Sequence, residues 1–369
     1  MTPRARVSLT IVADDLTGAC DAGALFAGRG VVPVTVWPDA PVRAAVTVVD
    51  TETRALDAET AARRAGETAR AARGAVFKKI DSTLRGPIGA EVDAVMRATN
   101  ESTALVCPAL PAERRVVVER VLSVGALPVA ETPIAADPTF PRATGSSSVV
   151  DILRPQIDRP LAWIPLDRVR GDAGALRARL DRLSGTVIIA DAETDADLAA
   201  LVEAAWSLDH PPLLVGSAGL AQALARRLRL TAPRVDPPTG ERWLIVAGSL
   251  HPATRRQIEA AREAGLAVLA TPETPTDDRA AAVAELATRA RQRLDTERVD
   301  VLLVAGGETL VALYRALDAE RIELEGAPRP GLAVGRLSAR GRPPLALVTK
   351  AGGFGEPDLF VTLAREAVA

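Results

Sequence analysis

Runs of consecutive apolar, often β-branched residues recur along this chain, each followed by turn residues and then by a stretch rich in Ala, Leu and Arg. One set of runs covers residues 9–13, 31–36, 46–50, 76–80, 105–107, 187–190 and 213–215, and a second covers 244–247, 266–269, 301–305 and 345–349. Short apolar runs alternating with helical stretches predict βαβ units and mostly parallel sheets. The runs are continuous rather than alternating, as expected of strands covered on both faces. Helical periodicity is clear over 58–73 and 278–293, with Asp277 or Asp278 placed to cap the second stretch.

Between the two sets, residues 230–242 (LTAPRVDPPTGER) hold three prolines and a glycine, which break helix and strand alike. The predicted organisation is therefore a domain over 1–230, a linker over 231–242 and a second domain over 243–369. Residues 126–165 are proline-rich and weakly periodic, and read as a long crossover or a small excursion packed on the first domain. The length of 369 residues suits two domains, and no fixed-period repeat stands out.

Composition narrows the class. A net charge of −2 leaves no electrostatic footprint for nucleic acid, and 3% aromatics give few platforms for stacking bases. Cys20 and Cys107 are far apart and belong to no metal-type cluster, which fits a reducing cytoplasm. The basic start runs into an apolar segment too short for a signal peptide and ends in two aspartates. No segment approaches the ~20 apolar residues of a membrane span. A soluble cytoplasmic protein is the expectation.

In an open α/β sheet, ligands bind beyond the carboxyl ends of the strands. The segments just after the runs are where chemistry is expected, and they are rich in polar groups. VADDLTGACD puts Asp14 and Asp15 at a strand tip, where carboxylates bind a polyol or act as a general base. Asp15 or Thr17 serves equally well as a helix cap. TETR brings Arg54, suited to a bidentate grip on a carboxylate or to a plain surface role. KKIDSTLRG gathers Lys78, Lys79, Ile80, Asp81, Ser82, Thr83 and Arg85 within nine residues, a set suited to a small anionic polyhydroxy ligand.

Only three of the 45 basic residues are lysines: Lys78, Lys79 and Lys350. A chain so biased toward Arg keeps Lys where a compact ammonium is needed, and phosphate sites are such places. Lys350 lies in VTKAGGFG, one of three strand-to-glycine junctions in the second half; the others are VAGSLHPAT and VAGGET. Glycine turns let backbone N–H groups approach phosphate oxygens, and a following helix adds its dipole. Neither a Walker-type P-loop nor a G-x-G-x-x-G after a strand is present, and there is no G-x-S-x-G elbow. With two histidines, His210 and His251, a zinc site is not expected. The junction LVGSAGLA in the first half reads equally as a binding loop or as close packing.

Taken together, VADDLTGACD, TETR, KKIDSTLRG with the following IGAE, CPALP, VGSAGLA, VAGS, GGET and TKAGGFG resemble the four-carbon acid sugar kinase family, in the family's order and across nearly the whole chain. The resemblance implies an α/β protein of two domains, each with a mostly parallel sheet flanked by helices, with a ligand cleft between them. It implies an N-terminal sugar-acid domain, a C-terminal nucleotide domain, and ATP-dependent phosphorylation of a terminal hydroxyl on threonate, erythronate or 3-oxo-tetronate-like acids, with Mg²⁺ on the phosphates. By the family's pattern, Asp14, Asp15, Arg54 and Lys79–Ser82 face the sugar acid, while Ser249, Gly306, Gly307, Glu308, Thr309 and Gly352 line the ATP site. The expected partners are the sugar acid and ATP, with a homodimer admitted and neither nucleic acid nor membrane.

The chain also departs from that pattern. Arg114-Arg115-Val116 stands where the family has Gly-Arg-Thr, Arg120 replaces a later glycine, Ala351 replaces a serine, and Cys20 an asparagine. In the expected mechanism Arg54 and Lys79 hold the acid, Asp14, Asp15 or Asp81 takes the hydroxyl proton, and Lys350 follows the transferred phosphoryl. The altered glycines motivate a second reading, a non-catalytic sugar-acid or nucleotide binder descended from such a kinase. Another α/β enzyme, such as a sugar-phosphate lyase, is a third.

Overall fold

The continuous apolar runs become parallel strands because both of their faces are covered. In the computed structural model, which describes residues 8–141, 145–249, 251–272 and 278–366, β1 (Leu9–Ala13), β2 (Val32–Val36) and β3 (Val46–Asp50) are buried at every position. Helix α1 (Leu16–Ala24) lies between β1 and β2. After β3 come α2 (Ala58–Ala71), β4 (Ala75–Lys79), α3 (Ile88–Thr99) and β5 (Ala104–Cys107). A small antiparallel meander follows, made of β6 (Arg115–Val118), β7 (Val121–Val124) and β8 (Leu127–Pro128). The chain then forms α4 (Val149–Leu153), β9 (Leu161–Ile164), α5 (Leu166–Val169), α6 (Ala173–Arg182), β10 (Val187–Ala190), α7 (Asp195–Trp206), β11 (Leu213–Gly216) and α8 (Ala218–Leu228). The last part holds β12 (Trp243–Ala247), α9 (Pro252–Glu263), β13 (Ala267–Ala270), α10 (Arg279–Thr296), β14 (Val301–Ala305), α11 (Gly307–Ala316), β15 (Ala319–Gly326), β16 (Leu332–Ala339), β17 (Leu345–Lys350) and α12 (Leu359–Glu366).

Two compact units result. The first takes the chain up to Asp14 and again over Trp37–Thr231; the second takes Asp15–Val36 and everything from Ala232 onward. In the first unit the strand order is β3-β1-β4-β11-β5-β10-β9, with every pairing parallel. In the second, β13-β12-β14-β17 are parallel, and β16, β15 and β2 continue antiparallel. The core of the second unit includes Trp243, Ile245, Val301, Leu303, Val334, Val348 and Phe360.

The expected continuous division at residue 230 therefore differs from the structure over residues 15–36. Strand β2 pairs with β15 through Val34 and Ile322. Helix α1 packs its buried face on α11, β15, β16 and β17. Both contacts span several hundred residues of chain, and no local pattern encodes them. The proline-rich 230–242 segment contains neither helix nor strand, and the second unit resumes within it at Ala232. Asp278 caps α10 by accepting from the Ala281 N–H at 2.8 Å, while Asp277 lies outside the described residues. The 126–165 excursion holds β8, α4 and β9.

Candidate functional site

In the first unit, β1, β3 and β4 lie side by side with Ala13 in register with both Asp50 and Lys79, so the residues that follow them emerge at one sheet edge. Asp14 is almost fully buried, and its Oδ2 accepts from Arg54 Nε at 2.8 Å. Its buried Oδ1 has no hydrogen-bond partner among the described residues. Arg54 is held there by its turn. The N–H groups of Thr53 and Arg54 both donate to the Asp14 carbonyl, and Glu52 takes a left-handed φ of 50°. Thr53 donates its hydroxyl to Glu91 in the first turn of α3, and Thr51 ties back to the Ala13 carbonyl at 2.7 Å.

All four groups of the KKID segment are buried, yet they do different work. Lys78 pairs with Glu91 at 3.2 Å and donates to the Lys79 carbonyl at 3.0 Å. Burial pushes the Glu91 carboxyl up, Lys78 opposes that shift, and the Asp14 charge adds to it. Lys79 donates to the Ile80 carbonyl at 2.9 Å, and no carboxylate pairs with it among the described residues. Asp81 is saturated: Arg85 grips it with Nε and a terminal nitrogen, both at 2.9 Å, and Thr83 gives it a hydroxyl and an N–H. Burial works against the Asp81 charge, but Arg85 and Arg54 prevail and hold its carboxyl well below the usual range. A carboxylate so engaged is a poor proton acceptor. Of the three aspartates expected as a base, Asp14 keeps an open oxygen, Asp81 orients arginines, and Asp15 caps a helix.

Ser82 accepts from Arg115 at the start of the meander. Neither Arg115 nor Glu91 is among the site residues expected from the sequence. The available signals were a carboxylate in the first helical turn after a lysine pair, and an arginine at the start of a β-branched run. The LVGSAGLA junction resolves as close packing: a Cβ on Gly216 would lie 2.6 Å from the Cys107 carbonyl oxygen, and one on Gly219 2.6 Å from that of Ala109. Cys20 and Cys107 are buried thiols in no disulfide among the described residues, and burial pushes the Cys107 thiol up to about 12.

In the second unit, all three glycine junctions leave the carboxyl ends of adjacent parallel strands. Ala247 of β12 is in register with Ala305 of β14, and Ala305 with Lys350 of β17. Gly306 has φ of 109° and precedes α11, whose N-terminus has no side-chain cap. Its own Cβ would come within 3.8 Å of Ser249. Gly352 lies against the Ser249 hydroxyl, where a Cβ would stand 3.4 Å away. Thr309 is buried, whereas Glu308 is exposed and pairs with Arg279 at 2.6 Å. The glycine turns, with the N-terminus of α11 lacking a side-chain cap, leave backbone N–H groups of the kind that can approach phosphate oxygens.

Asp15 caps α1 by accepting from the Gly18 N–H at 3.1 Å and the Thr17 hydroxyl at 2.7 Å. A Cβ on Gly307 would lie 2.8 Å from Asp15 Oδ2 and 3.3 Å from Thr17 Oγ1. Gly307→Ala is therefore expected to dislodge this cap and cost about 1–2 kcal/mol, readable as a lower midpoint in urea denaturation. An unchanged midpoint would mean that the cap tolerates the methyl group. His251 caps α9, its Nδ1 accepting from the Ala253 N–H at 3.2 Å. Leu250 lies outside the described residues.

Comparison with known proteins matches two stretches of the chain to family models. Residues 9–224 match the sugar-binding N-terminal domain, and 270–360 the nucleotide-binding C-terminal domain. The chain belongs to the four-carbon acid sugar kinase family. It is 31% identical to a Salmonella typhimurium D-threonate kinase over 95% of this chain and 96% of that one. It is 31% identical to a Methylobacterium radiotolerans 3-oxo-tetronate kinase over 96% of this chain and 98% of that one. A solved Salmonella typhimurium LT2 structure, 23% identical, shares the fold with a TM-score of 0.80 over 98% of this chain and 99% of the other.

Membership in the four-carbon acid sugar kinase family gives the departures a physical meaning. Arg114 and Arg120, expected from the sequence to replace glycines of the family pattern, both adopt left-handed backbone, with φ of 54° and 69°. The turns that glycine favours are thus retained with a Cβ present. Arg120 stacks over the Trp163 ring at 4.6 Å, and Arg114 lies beside Gly125, where a Cβ would approach its guanidinium to 3.5 Å. It is Arg115, the arginine kept from the family's run, that meets Ser82.

Proposed function

We propose that this chain is an ATP-dependent kinase that phosphorylates a terminal hydroxyl of a four-carbon sugar acid. The observation that carries the reading is the first-unit cluster. Asp14 offers an open, buried carboxylate oxygen, Arg54 stands beside it, and on the neighbouring strand Lys79 is a buried ammonium without a carboxylate. An uncompensated buried cation is costly, and a bound carboxylate relieves that cost. A small acid carrying hydroxyls supplies both the anion for Lys79 and Arg54 and the proton donor for Asp14. The relatives named as D-threonate and 3-oxo-tetronate kinases support that substrate class.

Phosphoryl transfer depends on positioning and charge neutralisation. Asp14 accepts the proton of the attacking hydroxyl, and Arg54 and Lys79 fix the acid so that this hydroxyl is presented. The amides around Gly306, Gly307 and Gly352, with Ser249, hold the phosphates of ATP. Among the described residues no cluster of three or more metal-ligating side chains exists. Mg²⁺ is therefore expected to ride on the phosphate oxygens, as is common for this ion, with Asp15 as the carboxylate nearest Gly307. When bound, it supplies neutralisation of phosphate charge. No helix among the described residues is long and apolar enough to cross a membrane. With two buried thiols and no disulfide among the described residues, the cytoplasm is the compartment proposed.

The test is ADP release with D-threonate, D-erythronate and 3-oxo-tetronate, with the position of the new phosphate ester read by phosphorus NMR. Binding of acid and nucleotide without turnover would establish the non-catalytic reading instead. Lys79→Met is expected to raise the KM for the acid about 10- to 100-fold, the scale of a hydrogen bond to a charged group, and to leave the KM for ATP unchanged. An unchanged KM for the acid would remove Lys79 from the site.

A further inference from the structure

Lys350 ends β17 and is fully buried. Its ammonium donates to the Gly352 carbonyl at 2.6 Å, the Thr254 hydroxyl at 3.1 Å and the Ala351 carbonyl at 3.2 Å. Thr254 in turn donates its hydroxyl to the Gly352 carbonyl. One helical turn further along α9, Gln257 donates to the carbonyls of Phe354, Gly355 and Glu356 at 2.9–3.0 Å. Two residues of α9 thus hold the carbonyl oxygens of Gly352, Phe354, Gly355 and Glu356 in the glycine loop, and Lys350 sits at its inner end.

We propose that Lys350 is a tethered monovalent cation: it holds the nucleotide loop in shape as a potassium or ammonium ion would, and reaches phosphate only through the backbone it fixes. Three oxygens that converge on one point repel each other unless a cation lies among them, and backbone carbonyls replace the hydration shell of potassium in the same way. A planar guanidinium cannot serve three oxygens grouped about a point, whereas an ammonium gives one proton to each. The inference builds on the reading of this loop as a nucleotide site, but its physical core is the cation among the oxygens.

Two variants separate charge from bulk. Lys350→Ala leaves room for a small ion, and Lys350→Met fills the space without charge. In tetramethylammonium chloride both are expected to lose about 100-fold in kcat/KM for ATP, as for lost hydrogen bonds to a charged group. Ammonium or potassium chloride at equal ionic strength is expected to restore about tenfold or more in Lys350→Ala, saturably, and to raise its melting temperature, with no restoration in Lys350→Met. The KM for the sugar acid should stay constant throughout. Equal behaviour of Lys350→Ala in all salts, or equal restoration of both variants, overturns the proposal. If the chain proves not to use ATP, the salt-dependent melting of Lys350→Ala still decides the matter. Should that variant fail to fold, ¹⁵N-lysine labelling of the natural protein serves, since only three ammonium signals exist. Slow proton exchange at Lys350 and a resonance barely moved by Mg-ATP support the tether. Fast exchange, or a large shift on ATP binding, refutes it.

Discussion

Asp14→Asn should lower kcat for sugar-acid phosphorylation by about 10²–10⁴, the usual contribution of a positioned general base, with little change in either KM. The geometry singles out this residue among three aspartates. Asp14 Oδ2 is committed to Arg54 at 2.8 Å, and its Oδ1 is buried and open. The amide oxygen of Asn can still accept from Arg54, so the guanidinium stays in place and binding of the acid is preserved. What is lost is an atom able to take a proton. Steady-state kinetics with both substrates varied, beside a urea melt, make the check. If the variant keeps kcat within about threefold, the hydroxyl proton leaves by another route, because losing a working base costs at least about a hundredfold.

Asp81→Asn should act on the fold instead. Its carboxylate receives two bonds from the Arg85 guanidinium, one from the Arg85 N–H and two from Thr83, and Arg54 stands 3.7 Å away. Breaking a buried pair from one side typically costs about 3–5 kcal/mol, because a charge is left uncompensated. Arg85 keeps Asp137 at 3.2 Å and some exposure, so the lower end, about 3 kcal/mol, is expected. The pH dependence follows from the depressed folded pKa of Asp81. A carboxyl whose folded pKa lies below its unfolded value of about 3.9 stabilises fully above that value, and loses its contribution as pH falls through the folded pKa. The gap in unfolding free energy between natural protein and variant should be constant from about pH 7 to 5 and narrow below about pH 4. A gap that is small at pH 7, or that persists unchanged in acid, would show that Arg85 does not depend on Asp81.

Much of the fold was legible because parallel strands covered on both faces leave unbroken apolar runs. Strands β1, β3, β10 and β14 fall on the expected residues. Strands β15 and β16 were not anticipated. In β15, Ile322 and Leu324 are buried while Arg321, Glu323 and Glu325 are partly or fully exposed, an alternation that carries no continuous run. The meander escaped notice because its β-branched run is interrupted by Glu119 and Arg120, both at positive φ. For the candidate site, the carboxyl-end rule points to Asp14, Arg54, Lys79 and Asp81, since each follows or ends a strand. The rule could not say which charge meets which. Lys78 finds Glu91 on a helix, Asp81 turns to Arg85 four residues on, and Lys350 gives its protons to its own loop. Asp14 and Asp15 read as a pair in sequence, yet one ends the first segment of one unit and the other begins the second unit. Those outcomes depend on helix placement and on contacts distant along the chain, which a local pattern does not contain.

Every lysine of this chain is buried in or beside a sheet: Lys78 and Lys79 at the end of β4, Lys350 at the end of β17. A peptidase that cuts only after lysine finds no site within these folded strands and must wait for a strand to leave its sheet. Cleavage then becomes a clock for opening, because susceptible bonds are exposed only in the unfolded or locally opened state. The fragments carry a second message, since one scissile region lies in the first unit and the other in the second. A cut near residue 79 reports the opening of the first unit and a cut at residue 350 that of the second, so the order of fragments reveals which half of the molecule yields first.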